Sequence, residues 1–540
     1  MSATAAASDA HTSASASVAL ARRALTDSRV RDLAFASLFA AIAYVQPVGY
    51  RSAYKTIEER IAFARAFADN KAIRLFYGQP HDLLTVSGYS AWRVGGTLAI
   101  VAAAWGALAA VRALRTEEDA GATELVLSGA VSRVALNGGA LAAIGITALG
   151  IWLVIWAALL AGGLAAAGSA YLALSIVSVI PVYVGVGAVA SQLAPRRRVA
   201  LGFGLGAVAV GLLLRAVADT SNGLEWLRWL TPLGWAEELR PFTGARPWVL
   251  VLPLLSSALL LALAVRAATR RDIGSGLIQV HDAADAKLAL LSSPTAQALR
   301  SERGTLAVWL ASIGVVAYIL GTVAKSVSTG ITTQLEREMA KLGAGSIASP
   351  KGYLSFTFLL FVFAVSLFAC AQIGAARGEE DAGRLETLLA QSVGRHGWLA
   401  GRLALAAAAA GTISLVAGLL SWAGAVTQGV HLGVGSMLLA GLNCLPLALL
   451  TLGVGALAFG AAPRAAVGIA YSFVIVAFVW DLFGSLLSVP HWLLEATPFA
   501  HVGLVPAEPF RVGAAVLMVG IGALCAAAGL ALFARRDLAG

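Results

Sequence analysis

Apolar windows of about 20 residues, enough to cross about 30 Å of hydrocarbon as a helix, recur along the whole chain between short polar segments. They predict about twelve spans: 33–50, 94–113, 138–161, 169–192, 199–219 and 248–267, then 304–325, 353–376, 398–424, 432–460, 465–488 and 512–533. A membrane strand would alternate apolar and polar residues, whereas the run Leu403–Gly411 has no polar side chain. The expected fold is therefore an all-α polytopic membrane protein. Composition excludes a soluble protein of this size, with 59% hydrophobic residues, 13% charged residues and a mean hydropathy of +0.80.

The polar segments are written twice. Arg115-Thr116-Glu117-Glu118-Asp119-Ala120-Gly121 is answered by Arg377-Gly378-Glu379-Glu380-Asp381-Ala382-Gly383. Three further landmarks recur in the same order: Ala194-Pro195-Arg196 with Ala462-Pro463-Arg464, Thr231-Pro232-Leu233 with Thr497-Pro498-Phe499, and Arg270-Arg271-Asp272 with Arg535-Arg536-Asp537. Such periodicity predicts a duplication. With an even number of spans per copy, the two six-helix repeats are parallel, related by a pseudo-twofold axis along the membrane normal. The expected organisation is a tail at 1–32, a first half at 33–268, a linker at 269–303 and a second half at 304–540.

Charge sets the orientation. Clusters such as Arg196–Arg198 and Arg266, Arg270 and Arg271 mark short loops as cytosolic, so both termini and both acidic segments are expected on that side. The formal charge of +10 then reports topology and anionic lipid headgroups, not nucleic acid. Arg22, Arg23, Arg29 and Arg31 precede the first span without a clean small-residue cleavage site, which reads as a retained helix after a disordered Ala/Ser/Thr tail over 1–21.

Catalytic chemistry has no local signature. There is no phosphate-binding loop, and Gly202, Gly204 and Gly206 fall inside a span, where they serve helix packing. The seven histidines are scattered without metal-ligand spacing. Cys370, Cys444 and Cys525 each fall in a span and read as small core residues. No catalytic residue, metal or cofactor is expected in this chain. Ionisable groups inside spans are few: Arg215 and Asp219 near the end of the fifth and Asp481 near the end of the eleventh. Arg215 and Asp481 occupy nearly matching positions and could pair as an outer gate; the alternative is two separate snorkelling side chains.

The acidic segments with their continuations, Glu124 to Arg133 and Glu386 to Arg395, resemble the cytosolic loop between the second and third helices of type-2 ABC exporter permeases. The order of landmarks, with Pro232-Leu233-Gly234-Trp235 and Arg240-Pro241-Phe242, is similar to the fused, double-length actinobacterial permeases of the tetronasin or polyketide antibiotic exporter type. That resemblance implies a bacterial cytoplasmic-membrane permease exporting lipophilic or amphipathic molecules. Two copies of a separate ABC ATPase subunit would bind ATP and Mg. They would dock on coupling helices carrying Glu117, Glu118, Gly121, Glu124, Arg133, Glu379, Glu380, Gly383, Glu386 and Arg395.

The acidic residues are expected at the start of a short helix, where carboxylates favour the positive helix end. The resemblance also implies a substrate path along the second, fifth, eighth and eleventh helices, lined by Trp105, Phe203, Phe363, Phe368, Gln372, Tyr471, Phe473 and Trp480. Residues 51–92, with a helical apolar stripe from Glu58 to Phe76, and 225–242, with Trp226, Trp229 and Trp235, form either an outer lid or a seal. Two rival functions are a proton-driven multidrug antiporter and a membrane scaffold or lipid-processing protein. The first is disfavoured by the lack of mid-membrane acids, the second by the lack of a catalytic constellation.

Overall fold

A computed structural model describes residues 2–67, 74, 77–116, 118, 121, 123, 124, 128, 132–220, 223–270, 276–278, 293–330, 349–390, 394–483 and 495–537. Among these the chain is all-helical. It divides into two compact units, Met1–Ala284 and Asp285–Gly540.

In the first unit, α1 (Ser2–Ala53) packs along α4 (Arg133–Ala161), and α2 (Ile57–Phe67) follows α1. Helix α3 (Val86–Val111) packs on α6 (Val179–Leu193), which α5 (Ala166–Val177) precedes. Helix α7 (Arg197–Thr220) leans on α3 and α6, the short α8 (Pro232–Glu238) sits over the end of α7, and α9 (Val251–Ala268) packs on α6. The α3 and α5–α6 spans have 56% and 67% of their apolar windows buried, against 22–33% for the others. They form the interior, and the remaining helices keep an apolar face outward, as a lipid-facing shell requires.

In the second unit, α10 (Pro294–Gly330) pairs with α13 (Arg395–Thr427). Helix α11 (Pro350–Asp381), extended by the short α12 (Arg384–Leu389), packs on α15 (Leu445–Ala461), which α14 (Val434–Leu442) precedes. Helix α16 (Ala466–Phe483) packs on α11 and α15, and α17 (Val512–Arg535) on α15. The α15–α17 contact depends on glycine, because a Cβ on Gly453 or Gly460 would strike the backbone of Gly522 or Gly529. Close backbone approach of this kind replaces the hydrophobic drive that lipid removes.

Two sequence expectations change. The tail over 1–21 is helical from Ser2, since its many alanines are strong helix formers. Eleven helices of the described residues are long and apolar enough to cross a membrane, and α16, where the eleventh span is expected, is described as a further apolar helix over Ala466–Phe478. The remainder of the expected span 465–488 beyond residue 483 lies outside the described residues. Lastly, the fourth span of each unit is broken in the middle, at Ser178 and at Asn443–Cys444. Each break precedes a proline, Pro181 or Pro446, whose missing N–H cannot continue the hydrogen-bond ladder. Asn443 Nδ2 then donates to the Gly503 carbonyl at 2.7 Å, fixing the second break.

Candidate functional site

The second acidic segment forms the last turn of α11, not the start of a helix, so Glu379, Glu380 and Asp381 stand at the negative helix end. Arginines offset that cost. Arg377 lies 3.2 Å from Glu380 and 2.5 Å from Asp381. Arg536, just past α17, reaches Glu380 at 2.7 Å and donates to the Phe459 carbonyl at 3.1 Å. Arg402 of α13 holds Glu379 at 2.9 Å and faces Glu302 of α10 at 3.9 Å. Gly383 then turns with φ +68°, a left-handed conformation costly for other residues. It launches α12, whose Leu385 is buried while Arg384, Glu386 and Thr387 are exposed. Glu386 is the carboxylate placed in that helix's favourable first turn.

The first acidic segment repeats part of this arrangement. Arg115, fully buried at the end of a π-helical turn after α3, lies 3.4 Å from Glu118 and donates to the Pro195 carbonyl at 2.6 Å. Gly121 turns with φ +72° and Glu124 is exposed. Glu117 and the side chain of Arg133 lie outside the described residues; Arg133 opens α4.

The structure thus redistributes the expected docking residues. Glu118 and Glu380 are buried and ion-paired inside their own units, and Glu379 is held by Arg402. Arg395 donates to the Arg536 and Ala534 carbonyls at the end of α17. These side chains shape the segment, and Gly121, Glu124, Gly383 and Glu386 are its exposed part.

Of the expected path residues, Trp105 and Phe368 are core side chains, Phe368 packing against Trp309. Phe203 is 45% exposed on α7. In the second unit Phe363 stacks on Phe478 with centroids 4.2 Å apart, and Tyr471 packs against the same core. Gln372 lines a small cavity with Arg402 and Phe459. Phe473 and Trp480 line an open, largely apolar groove of about 870 Å³ along α16, with Arg464 and Thr497 at its edges. Arg215, only 1% exposed, faces Asp219 of its own helix at 3.7 Å, so it does not snorkel. Asp481 is half-buried.

A second polar cluster closes the opposite end of the first unit, on the segment read from sequence as a lid or seal. Its centre is Arg228, on a 3-10 turn spanning Glu225–Leu230. Arg228 donates to Asp219 Oδ1 at 2.7 and 3.0 Å, to Glu238 Oε1 at 2.9 Å and to Gln79 Oε1 at 3.2 Å. Arg246 and Arg240 close on Glu238 Oε2 at 2.7 and 3.3 Å. The Gln79 backbone N–H donates to Glu237 Oε1 at 2.5 Å, tying residues 77–81 to α8.

The cluster's charges respond to that burial. Burial and the neighbouring Asp219 charge push Glu237 up to about 8. Burial would also raise Glu238, but the Arg228 hydrogen bond and the Arg240 and Arg246 charges hold it below its ordinary value. Burial keeps the His81 ring below its ordinary value. Of these charges the sequence singled out only Asp219 and Arg240; the fold-back of α8 over α7 brings the others to them.

Among the described residues, eleven helices apolar and long enough to cross a membrane, with the buried ion pairs near the helix ends, define a multi-pass membrane protein. The family described as "Multidrug efflux system permease Rv1217c, C-terminal domain" matches residues 62–268 and 291–534. The chain belongs to this family. It is 31% identical over 510 residues to the "Multidrug efflux system permease protein Rv1217c" of Mycobacterium tuberculosis (strain ATCC 25618 / H37Rv), covering 92% of this chain and 90% of that protein.

Proposed function

We propose that the chain is the permease of an ATP-driven ABC exporter that moves lipophilic or amphipathic small molecules, antibiotics of the polyketide type among them, out of a bacterial cell. Its two units are parallel copies of one six-helix repeat, both acidic segments face the cytosol, and a separate ATPase subunit docks under each. ATP and Mg stay with those subunits. The observation that carries this reading is the twin segment: an arginine three residues before a buried glutamate, then a left-handed glycine and an exposed acid. One such segment is ordinary helix-end packing; two at matching places suit a pair of identical partners. Pressure on α12 would pass through Glu380 and Arg536 into α17, and through Glu379 and Arg402 into α13. The apolar groove on α16 with its edge Arg464 suits an amphipathic cargo.

The test is co-purification with a co-expressed ABC ATPase subunit, comparing wild type with the double variant Glu124→Lys, Glu386→Lys. Both positions are exposed, so the variant should assemble normally and lose the subunit. Unchanged retention would remove the segments from the docking surface.

A further inference from the structure

We infer that the cap of the first unit binds a proton, shared between the carboxyl groups of Asp219 and Glu237, and that this proton fastens α8 to the end of α7. The inference is independent of what powers transport. Asp219 has a fully buried side chain, and the Arg228 guanidinium that holds it at 2.7 Å stands 3.8 Å from Glu237, so the two carboxyl groups flank one cation. One oxygen of each is satisfied, Asp219 Oδ1 by Arg228 and Glu237 Oε1 by the Gln79 N–H. Asp219 Oδ2 and Glu237 Oε2 are buried and have no hydrogen-bond donor. Two unsatisfied acceptors beside one another in a buried site repel; one proton between them makes a donor and an acceptor.

The two neighbouring guanidinium Nε groups do not supply that donor. Arg215 Nε stands 3.7 Å from Asp219 Oδ2 and Arg228 Nε 3.8 Å from Glu237 Oε2, too far for hydrogen bonds. The groups that face the pair are Arg215 from α7, Arg228 from the 3-10 turn, Glu238 from α8, Arg240 and Arg246 from the chain beyond it, and Tyr77, Gln79 and His81 from the loop before α3. The guanidinium charges oppose protonation of Glu237, while burial and the neighbouring Asp219 charge favour it and prevail. A cavity of about 50 Å³, lined by His81, Arg215, Glu237 and Arg240, has room for a few waters and gives the proton a way in. Loss of the proton sets two like charges against each other where residues 77–81, α7 and α8 meet, and so loosens the cap.

The experiment is infrared spectroscopy of the full chain in lipid nanodiscs, reading the carbonyl stretch of a protonated carboxyl group. Wild type should show it at about pH 6 and lose it by about pH 10. Glu237→Gln and Asp219→Asn should each lack it, and Glu238→Gln should keep it. A band absent from wild type at the lower pH, or one that survives both substitutions, overturns the proposal. Should either variant fail to assemble, the thermal midpoint of the wild type decides: it must fall as pH rises from about 5 to about 8, and a flat profile there overturns the shared proton.

Discussion

The segment after the fifth helix of each unit begins alike and is then anchored by opposite means. In the first unit Thr231-Pro232 leads into α8, and of the carboxylates six and seven residues on, Glu237 accepts from the Gln79 N–H and Glu238 pairs with Arg228, which also holds Asp219. In the second unit Thr497-Pro498 leads into Phe499, buried against Phe478 with ring centroids 5.4 Å apart. The corresponding residues there are Gly503 and Leu504, neither of them charged, and the Gly503 carbonyl accepts from Asn443. One helix framework therefore tolerates either a charge network or a hydrocarbon plug over its end. The network buries its charges in the cap itself, whereas the second unit's ion pair, Glu508 with Arg511, lies partly exposed farther along the segment and the contact at Phe499 carries no titratable group.

The largest effect that would break this contrast is expected from Arg228→Ala. Removing the guanidinium leaves Asp219 and Glu238 buried with their main partner gone, at a cost of about 3–5 kcal/mol, read as a lowered thermal midpoint in nanodiscs. Next comes the pH profile. Glu237 rises from an ordinary 4.5 to about 8 on folding, so its proton stabilises the cap fully below about pH 4.5 and that contribution is lost as pH rises towards about 8. Glu238, held low by its arginines, works the other way and weakens the cap as pH falls below its ordinary value. Wild type should thus lose on the order of 2 kcal/mol between about pH 5 and 8, and Glu237→Gln should be flat there.

Smaller effects sharpen the comparison. Phe499→Leu leaves an apolar residue in an apolar site and should cost about 1 kcal/mol, with the wild-type pH slope retained because the titrating cap is in the other unit. Gly383→Ala meets no neighbour but must hold φ at +68°. It should cost about 1 kcal/mol and reduce ATPase-subunit retention, since α12 would no longer be aimed by the turn.

Much of the fold was legible in the sequence because hydrocarbon imposes span length, and because charge runs stand out in so apolar a chain. The acidic segments were found that way. Their inward turn was not, since the partners that hold them are remote: Arg536 lies 156 residues from Glu380, and Pro195 lies 80 residues from Arg115. Pro181 and Pro446 were visible signals of the broken fourth spans, masked by the unbroken hydropathy around them. The cap was legible only as a tryptophan-rich segment, because nothing local links Gln79, Asp219 and Glu237 before α8 folds over α7.

The most direct test of the exporter reading is uptake of a lipophilic fluorescent drug into inside-out vesicles carrying the chain with its ATPase subunit. Uptake that requires ATP and the subunit, and that persists when an uncoupler abolishes the proton gradient, is the predicted result. Uptake that proceeds without ATP and collapses with the proton gradient would contradict it.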